Sequence, residues 1–328
     1  MRILITGGAG FIGSHLTDRL IGDGHDITVI DDLSVGTIRN VAHHLDSDRF
    51  HFVCDSILNE ATLERLIRKS EQIYHMAAVV GVKYVVENLL KGILTNVRGT
   101  ENVLALAYKY WTPVVIASSS EVYGKSPAVP WSEDDDRVLG PTSIGRWSYS
   151  DSKALDEYVG FAYARQGLPV AAVRYFNAYG PRLDPRGYGS VIAKFITQAS
   201  QGGPLTVYDD GQQTRCFTYV TDTVEGTVRA AQTPQAAGLA FNIGSDRETS
   251  ILELAEAIRR QVNPEAMIEH VPYERAFDVA FEDTRRRAPN VERAARVLDF
   301  RAEVPLERGL EWTIAGFQKT RPDRSLPH

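Results

Sequence analysis

The stretch RILITGGAGFIGSHL, residues 2 to 16, constrains this chain more than any other. The apolar run RILIT reads as a buried strand and leads straight into Gly7, Gly10 and Gly13, after which FIGSHLTDRLIGDG reads as a helix. Such a turn gathers backbone amides and the positive end of a helix at one spot, where a phosphate settles only if no side chain intervenes. The spacing is G-x-x-G-x-x-G rather than G-x-G-x-x-G, so the glycines alone are weak evidence. A second strand, DITVI, runs into Asp31 of VIDDL. A carboxylate there meets the adenosine ribose hydroxyls and repels a 2′-phosphate, which predicts NAD rather than NADP.

More apolar runs follow at FHFV, QIYHM, PVVIAS and PVAAVRYF, with helical patterns such as ATLERLIRKS between them. Continuous apolar strands separated by helices imply a parallel sheet covered on both faces. The predicted class is α/β: a Rossmann-type doubly wound parallel sheet with a smaller C-terminal substrate-binding domain. The NAD-binding part is expected over residues 1–175, with 217–245 returning to it through the strand LAFNIGS, and the substrate-binding part mainly over 176–328. In the second part YGPRLDPRGYGS reads as loop, while TYVTDTVEGTVRAA and SILELAEAIRRQV read as helices. Ser250 and Glu253 form a capping box for the latter. KTRPDRSLPH reads as a frayed tail, and no repeat or low-complexity segment is seen.

Composition removes several classes of function. A formal charge of −6 offers no basic surface to nucleic acid or anionic lipid, so a bound anion needs a local arginine cluster. The two cysteines, Cys54 and Cys216, are far apart, which fits a reducing compartment and neither a disulfide framework nor a zinc site. His43 and His44 are adjacent and the other histidines lack ligand spacing, so no metal is expected. MRILITGG lacks the apolar region of a signal peptide, and no apolar run is long enough to span a membrane. A cytoplasmic protein is expected.

RWSYSDSKALDEY, residues 146 to 158, places Tyr149 four residues before Lys153, on one helix face. A free tyrosine has a pKa of about 10 and is a poor base at neutral pH. A nearby ammonium and the positive nicotinamide ring lower it. The phenolate then takes a proton from a sugar or alcohol hydroxyl while hydride leaves the same carbon. Y-x-x-x-K is common by chance. Its weight comes from PVVIASSSEVYG, a strand ending in Ser118, Ser119 and Ser120 at the sheet edge where ligands bind. Asp151, Asp156 and Glu157 read as solvated. Tyr158 falls on the opposite face, and Arg146 and Trp147 lead into the sugar pocket.

GGAGFIGSHL, SSSEVYG, YSDSK and RYFNAYGPR, with PLTVYDDGQQTRCFTYVTD and FNIGS, resemble the extended short-chain dehydrogenase/reductase family over nearly the whole chain. Within it the motifs are most similar to the NDP-sugar 4-epimerases and the UDP-glucuronate decarboxylases. The resemblance implies a tightly bound NAD, regenerated in each cycle, and a UDP-sugar oxidised at C4. It makes Tyr149 the base, Lys153 its partner and Ser119 the proton-sharing hydroxyl. NAD contacts are implied at Gly7, Gly10, Phe11, Ile12, Gly13, Asp31, Asp32, Leu33, Ser34, Gly36, Asp55, Ser56, Met76, Ala77, Ala78, Asn96, Ser118, Tyr149, Lys153 and Tyr175. Sugar-nucleotide contacts are implied at Ser119, Ser120, Glu121, Tyr149, Asn177, Val191, Thr206, Tyr208, Arg215 and Arg287, with Arg215 clamping the diphosphate. A homodimer is implied too, through the helix VVENLLKGILTNVRGTENVLALAYKY and the helix of Tyr149.

Three fates of the 4-ketone stay open on these motifs. Dehydratases of the family read T-D-E-V-Y-G, and Ser120 stands where their aspartate would, which argues against loss of the 6-hydroxyl. Glu121 and Arg287 resemble the glutamate and the carboxylate-holding arginine of the decarboxylases. Val80 stands where neutral-sugar epimerases often carry lysine. These positions point to a uronate. A 4-ketone turns its C6 carboxylate into a β-keto acid, which loses carbon dioxide once the carboxylate stands perpendicular to the carbonyl plane. Serine at 119, where decarboxylases typically carry threonine, tilts the expectation to a 4-epimerase interconverting UDP-glucuronate and UDP-galacturonate. UDP-glucuronate decarboxylase and UDP-glucose 4-epimerase are the alternatives, followed by a simple alcohol dehydrogenase or ketoreductase and by a non-catalytic nucleotide sensor.

Overall fold

The computed structural model describes residues 1–80, 88–184, 190–272 and 284–319. The apolar runs form one sheet. Its strands are β1 (Arg2–Thr6), β2 (Asp26–Asp31), β3 (Phe50–Cys54), β4 (Gln72–His75), β5 (Val114–Ser119), β6 (Val170–Tyr175) and, after the short β7 (Ala178–Tyr179), β8 (Leu205–Tyr208), β9 (Thr214–Cys216) and β10 (Thr218–Tyr219), also β11 (Ala240–Ile243). The order is β3-β2-β1-β4-β5-β6-β11, and every neighbouring pair is parallel. The chain reverses direction across the sheet between β1 and β4, and ligands of such sheets bind at that crevice, outside the carboxyl ends.

Alternation along each strand fills both faces. Leu4, Ile30, Ile73, Val114 and Ile116 face one side with Leu63, Ile67, Val103 and Leu104. Those partners come from helices α1's successors, α2 (Glu60–Ile67) and α3 (Leu89–Tyr110), while α4 (Trp147–Arg165) packs along α3. Ile3, Ile5, Val29, Val115 and Val173 face the other side with Leu16 and Leu20 of α1 (Phe11–Gly22). The same cluster continues through α5 (Val191–Ser200), α6 (Val220–Gln232) and α7 (Ile251–Val262). The C-terminal part is therefore packed onto the sheet through a shared core. It adds β12 (Glu248–Ser250), β13 (Ile268–Val271), β14 (Arg286–Arg287) and the helices α8 (Glu292–Leu298) and α9 (Leu306–Lys319).

Two local signals read from sequence are present as hydrogen bonds. Ser250 and Glu253 form the reciprocal capping box of α7. LAFNIGS supplies β11, which extends the sheet beside β6. Two others are corrected. The long helix begins at Leu89, with Asn88 at its cap, and residues 85–87 lie outside the described residues. Asp156 and Glu157 are buried at 1% and 5% exposure rather than solvated, because α3 and the end of β5 cover that face of α4. The C-terminal segment 320–328 lies outside the described residues. Among the described residues, no helix is long and apolar enough to cross a membrane.

Candidate active site

The glycine loop is held so tightly that side chains are excluded. Gly7 has φ +69°, and its amide donates to the Ile30 carbonyl at 2.8 Å. A Cβ on Gly13 would lie 2.3 Å from the Gly7 oxygen, and one on Gly36 would lie 2.8 Å from the Ala9 carbonyl. The open backbone at the start of α1, with Phe11 and Ile12 in its first turn, fits a dinucleotide pyrophosphate. Asp31 accepts from the Ala9 and Leu33 amides at 2.9 Å each, so the acid at the end of β2 also shapes the loop. Burial pushes its carboxyl up. Asp32 accepts from the Ser34 amide at 3.0 Å. Asp55 accepts from Ser56 and Asn59. Met76, Ala77 and Ala78 follow β4, and Asn96 holds both the amide and the carbonyl of Val79, at 2.7 and 3.2 Å. Tyr175 ends β6 and meets Thr227 at 2.8 Å.

Ser119 ends β5 and caps the single turn Ser120–Tyr123 by accepting from the Glu121 amide at 3.2 Å. Its hydroxyl is hydrogen-bonded to Tyr149, in the first turn of α4. Burial, then the charges of Glu121 and Asp156, push the Tyr149 phenol well above its ordinary range, and the Ser119 bond draws it down. Lys153, expected to act on Tyr149, turns its ammonium to Asp156 at 3.0 Å. The opposed charges of that pair leave Tyr149 little net help. The Ser118 hydroxyl donates to Glu157 at 2.5 Å.

Glu121 joins two guanidinium groups. Arg287 reaches one carboxylate oxygen at 2.7 Å and Arg146 the other at 3.5 Å. Side-chain exposures of 15% for Glu121, 9% for Arg287 and 4% for Arg146 place all three out of bulk water. Two guanidinium groups thus converge on one carboxylate near Tyr149, where the protein screens charge weakly. Arg146 was read only as part of the approach to the pocket. Its signal was the i,i+3 spacing to Tyr149, which puts both on one helix face.

The other nucleotide-side residues lie on the C-terminal part. Arg215 on β9 pairs in register with Arg287 on β14 and donates to the Thr214 and Thr284 carbonyls at 2.8 and 2.9 Å. Asn177, at φ +41°, donates to the Cys216 carbonyl at 3.0 Å. Val191 opens α5, Thr206 meets Gln198 at 2.8 Å, and Tyr208 accepts from Lys194 at 2.8 Å. Ser120 is buried in its turn.

A buried polar frame behind the site escaped the sequence reading. Arg174 grips Glu157 through two nitrogens, at 2.9 and 2.6 Å, and reaches the Tyr123 hydroxyl at 2.9 Å. Tyr123 donates to Asn242, and Asn242 donates to the Trp131 and Asn290 carbonyls. Trp131 in turn exchanges backbone bonds with Ala288 and Asn290 at 2.8 Å. The segment carrying Arg287 is thereby fixed to the end of the sheet. Outside the site, His43 and His44 converge on one oxygen of Asp18 at 2.9 and 2.8 Å, and Arg182 takes the other at 2.7 Å.

Sheet order, glycine cradle and the Ser119–Tyr149–Lys153 group define an NAD-dependent enzyme of the extended short-chain dehydrogenase/reductase class. The chain belongs to the GDP-mannose 4,6 dehydratase family, whose pattern matches residues 4–313. It is 44% identical to a UDP-N-acetyl-alpha-D-glucosaminuronate decarboxylase of Bacillus cytotoxicus, over 98% of this chain and 99% of that protein. It is 39% identical to UDP-glucuronic acid decarboxylase 1 of Xenopus tropicalis, over 97% of this chain and 72% of that one. Among solved structures, UDP-glucuronic acid 4-epimerase from Bacillus cereus, in complex with UDP-glucuronic acid and NAD, superposes with a TM-score of 0.87 at 27% identity, covering 98% of this chain and 100% of that one. Relatives of this group act on nucleotide sugars, and the chain is an enzyme of the same epimerase, dehydratase and decarboxylase group.

Proposed function

We propose that the chain is an NAD-dependent decarboxylase of a UDP-linked glucuronate, the N-acetylglucosaminuronate form being the first substrate to try. The observation that carries this reading is the pair of buried arginines on Glu121, next to Tyr149. Buried guanidinium groups held so near the proposed base suit a substrate carboxylate, the one at C6 of a uronate. Tyr149, as phenolate, takes the proton of the C4 hydroxyl, with Ser119 sharing it. Bound NAD supplies a reversible hydride acceptor. Arg287 and Arg146 hold the C6 carboxylate while it becomes part of a β-keto acid. Loss of carbon dioxide leaves an enolate, which takes one proton at C5; C4 would then regain the hydride it gave up to the cofactor as Tyr149 returns its own proton to the oxygen at C4. The sum is one proton consumed and one carbon dioxide released.

The expectation of a 4-epimerase rested on serine at 119. A serine hydroxyl shares a proton as a threonine does, so relatives of 44% and 39% identity weigh more. Epimerisation stays the second reading, supported by the fold of the glucuronic acid epimerase. Proton NMR of each uronate incubated with enzyme and no added cofactor separates the two. A pentose product with two protons at C5 is expected; a galacto-configured product that keeps its carboxylate would sink the decarboxylase reading.

The chain is further proposed to pair as a homodimer. Leu90, Leu94, Leu155 and Tyr158 are 70%, 40%, 42% and 65% exposed on the adjacent helices α3 and α4. Such a patch is covered in a dimer. Light scattering is expected to give twice the mass of 36.4 kDa, and a monomer mass refutes the pairing.

A further inference from the structure

The ion pair between Lys153 and Asp156 lies almost wholly out of water, at side-chain exposures of 2% and 1%. Its two members are three residues apart on α4, about one and two turns beyond Tyr149. Asp156 is also bonded by the Thr100 hydroxyl of α3. Thr100 Oγ1 lies 3.0 Å from Nε2 of His75, and Nδ1 of that ring lies 2.7 Å from Thr6 Oγ1. Thr6 accepts from the Ala77 amide at 3.1 Å. A single chain of contacts thus runs from the backbone beyond β4, where the cofactor is expected to lie, to the ammonium beside the proposed base.

The chemistry of its ends fixes its direction. An ionised carboxylate only accepts and an amide N–H only donates. Thr100 must therefore give its proton to Asp156, so His75 must donate from Nε2 to Thr100. Burial pulls the His75 imidazole down to about 3, so the ring is neutral and its Nδ1 is bare. Thr6 then donates to Nδ1 and accepts from Ala77. Every link agrees only while Asp156 carries its charge. Burial pushes that carboxyl up, and the Lys153 ammonium and the Thr100 bond hold it down.

We propose that Asp156 is a positioning residue for the catalytic pair: its carboxylate anchors the Lys153 ammonium and the Thr100–His75–Thr6 chain, and it cancels most of the charge that Lys153 presents to Tyr149. This rests on the proposed roles of Tyr149 and Lys153 and is indifferent to decarboxylation or epimerisation.

Other charges face the same groups: Glu121 after β5, bonded to Arg146 and Arg287, also raises the proton affinity of Tyr149, and Glu157 on α4, paired with Arg174, raises that of Asp156, while His75 on β4 is neutral above about 3. Asp156 raises the proton affinity of Tyr149, so removing its charge lowers it. Reduction of the bound nicotinamide by UDP-uronate, followed by absorbance in a single turnover, needs the phenolate and rises with pH through the Tyr149 ionisation. In Asp156→Asn that rise is expected at lower pH by about one unit, with the rate at its plateau reduced about tenfold as Lys153 loses its anchor. A variant with unchanged pH dependence and rate, in an enzyme that Tyr149→Phe inactivates, overturns the role of Asp156 alone. Retained turnover in Tyr149→Phe would instead sink the reading beneath it. Should Asp156→Asn fail to fold, nitrogen-15 NMR of histidine-labelled wild-type enzyme decides. A neutral His75 protonated at Nε2 is expected, and an Nδ1–H or charged ring refutes the chain.

Discussion

Tyr149→Phe is expected to lower kcat by roughly 100- to 10,000-fold, the span that positioned acid–base catalysis covers. The phenol oxygen is the one atom lost. In the folded chain it closes one hydrogen bond, to Ser119 at the end of β5, and in the proposed reaction it would meet the reacting hydroxyl. Stability should therefore change by no more than about 1 kcal/mol. The cofactor cradle is built from the loop after β1 and from Asp31, far along the chain from Tyr149, so bound NAD should remain stoichiometric in denatured samples. Retained turnover would show that another group takes the proton. Loss of both turnover and NAD would show that Tyr149 shapes the cofactor site rather than the chemistry.

The part of the fold that sequence reveals is the part decided by local pattern. RILIT, DITVI and PVVIAS are apolar on both faces because helices cover both, and nothing but a parallel sheet between helices accommodates such runs. Gly7, Gly13 and Gly36 are legible for a related reason, since each stands where a Cβ would strike backbone. Asp156 and Glu157 were misread because helical periodicity alone does not say which polar face a second helix will cover. α3 lies against α4, and partners for both acids come from segments far apart in the chain: Thr100 for one, Ser118 and Arg174 for the other. The same holds for Arg146, whose partner Glu121 sits on a different element. Lys153 shows the limit most plainly. Its spacing to Tyr149 is right, yet a neighbour one turn on takes its charge.

Arg287→Ala is expected to lower affinity for UDP-N-acetylglucosaminuronate about 100-fold while leaving affinity for the neutral UDP-N-acetylglucosamine within about threefold. Arg287 sits on a segment held by Trp131, Asn290 and Asn242, so the guanidinium is presented from a fixed backbone rather than from a mobile tail. Its guanidinium donates to Glu121 at 2.7 Å. Truncation leaves that carboxylate with Arg146 at 3.5 Å, a longer contact, and removes one of the two cations on it. A uronate then loses one guanidinium partner and lies nearer the charge of Glu121, and the neutral hexose, lacking the carboxylate, notices little. Arg287→Lys restores charge but not the planar fork, so an intermediate affinity is expected. Glu121 also raises the proton affinity of Tyr149, and losing its arginine strengthens that influence. The remaining turnover of Arg287→Ala should accordingly rise at higher pH than in the wild type. Calorimetry with the two nucleotide sugars is the measurement. Equal losses for both would place Arg287 on the nucleotide rather than on the C6 carboxylate and would remove the main support for a uronate.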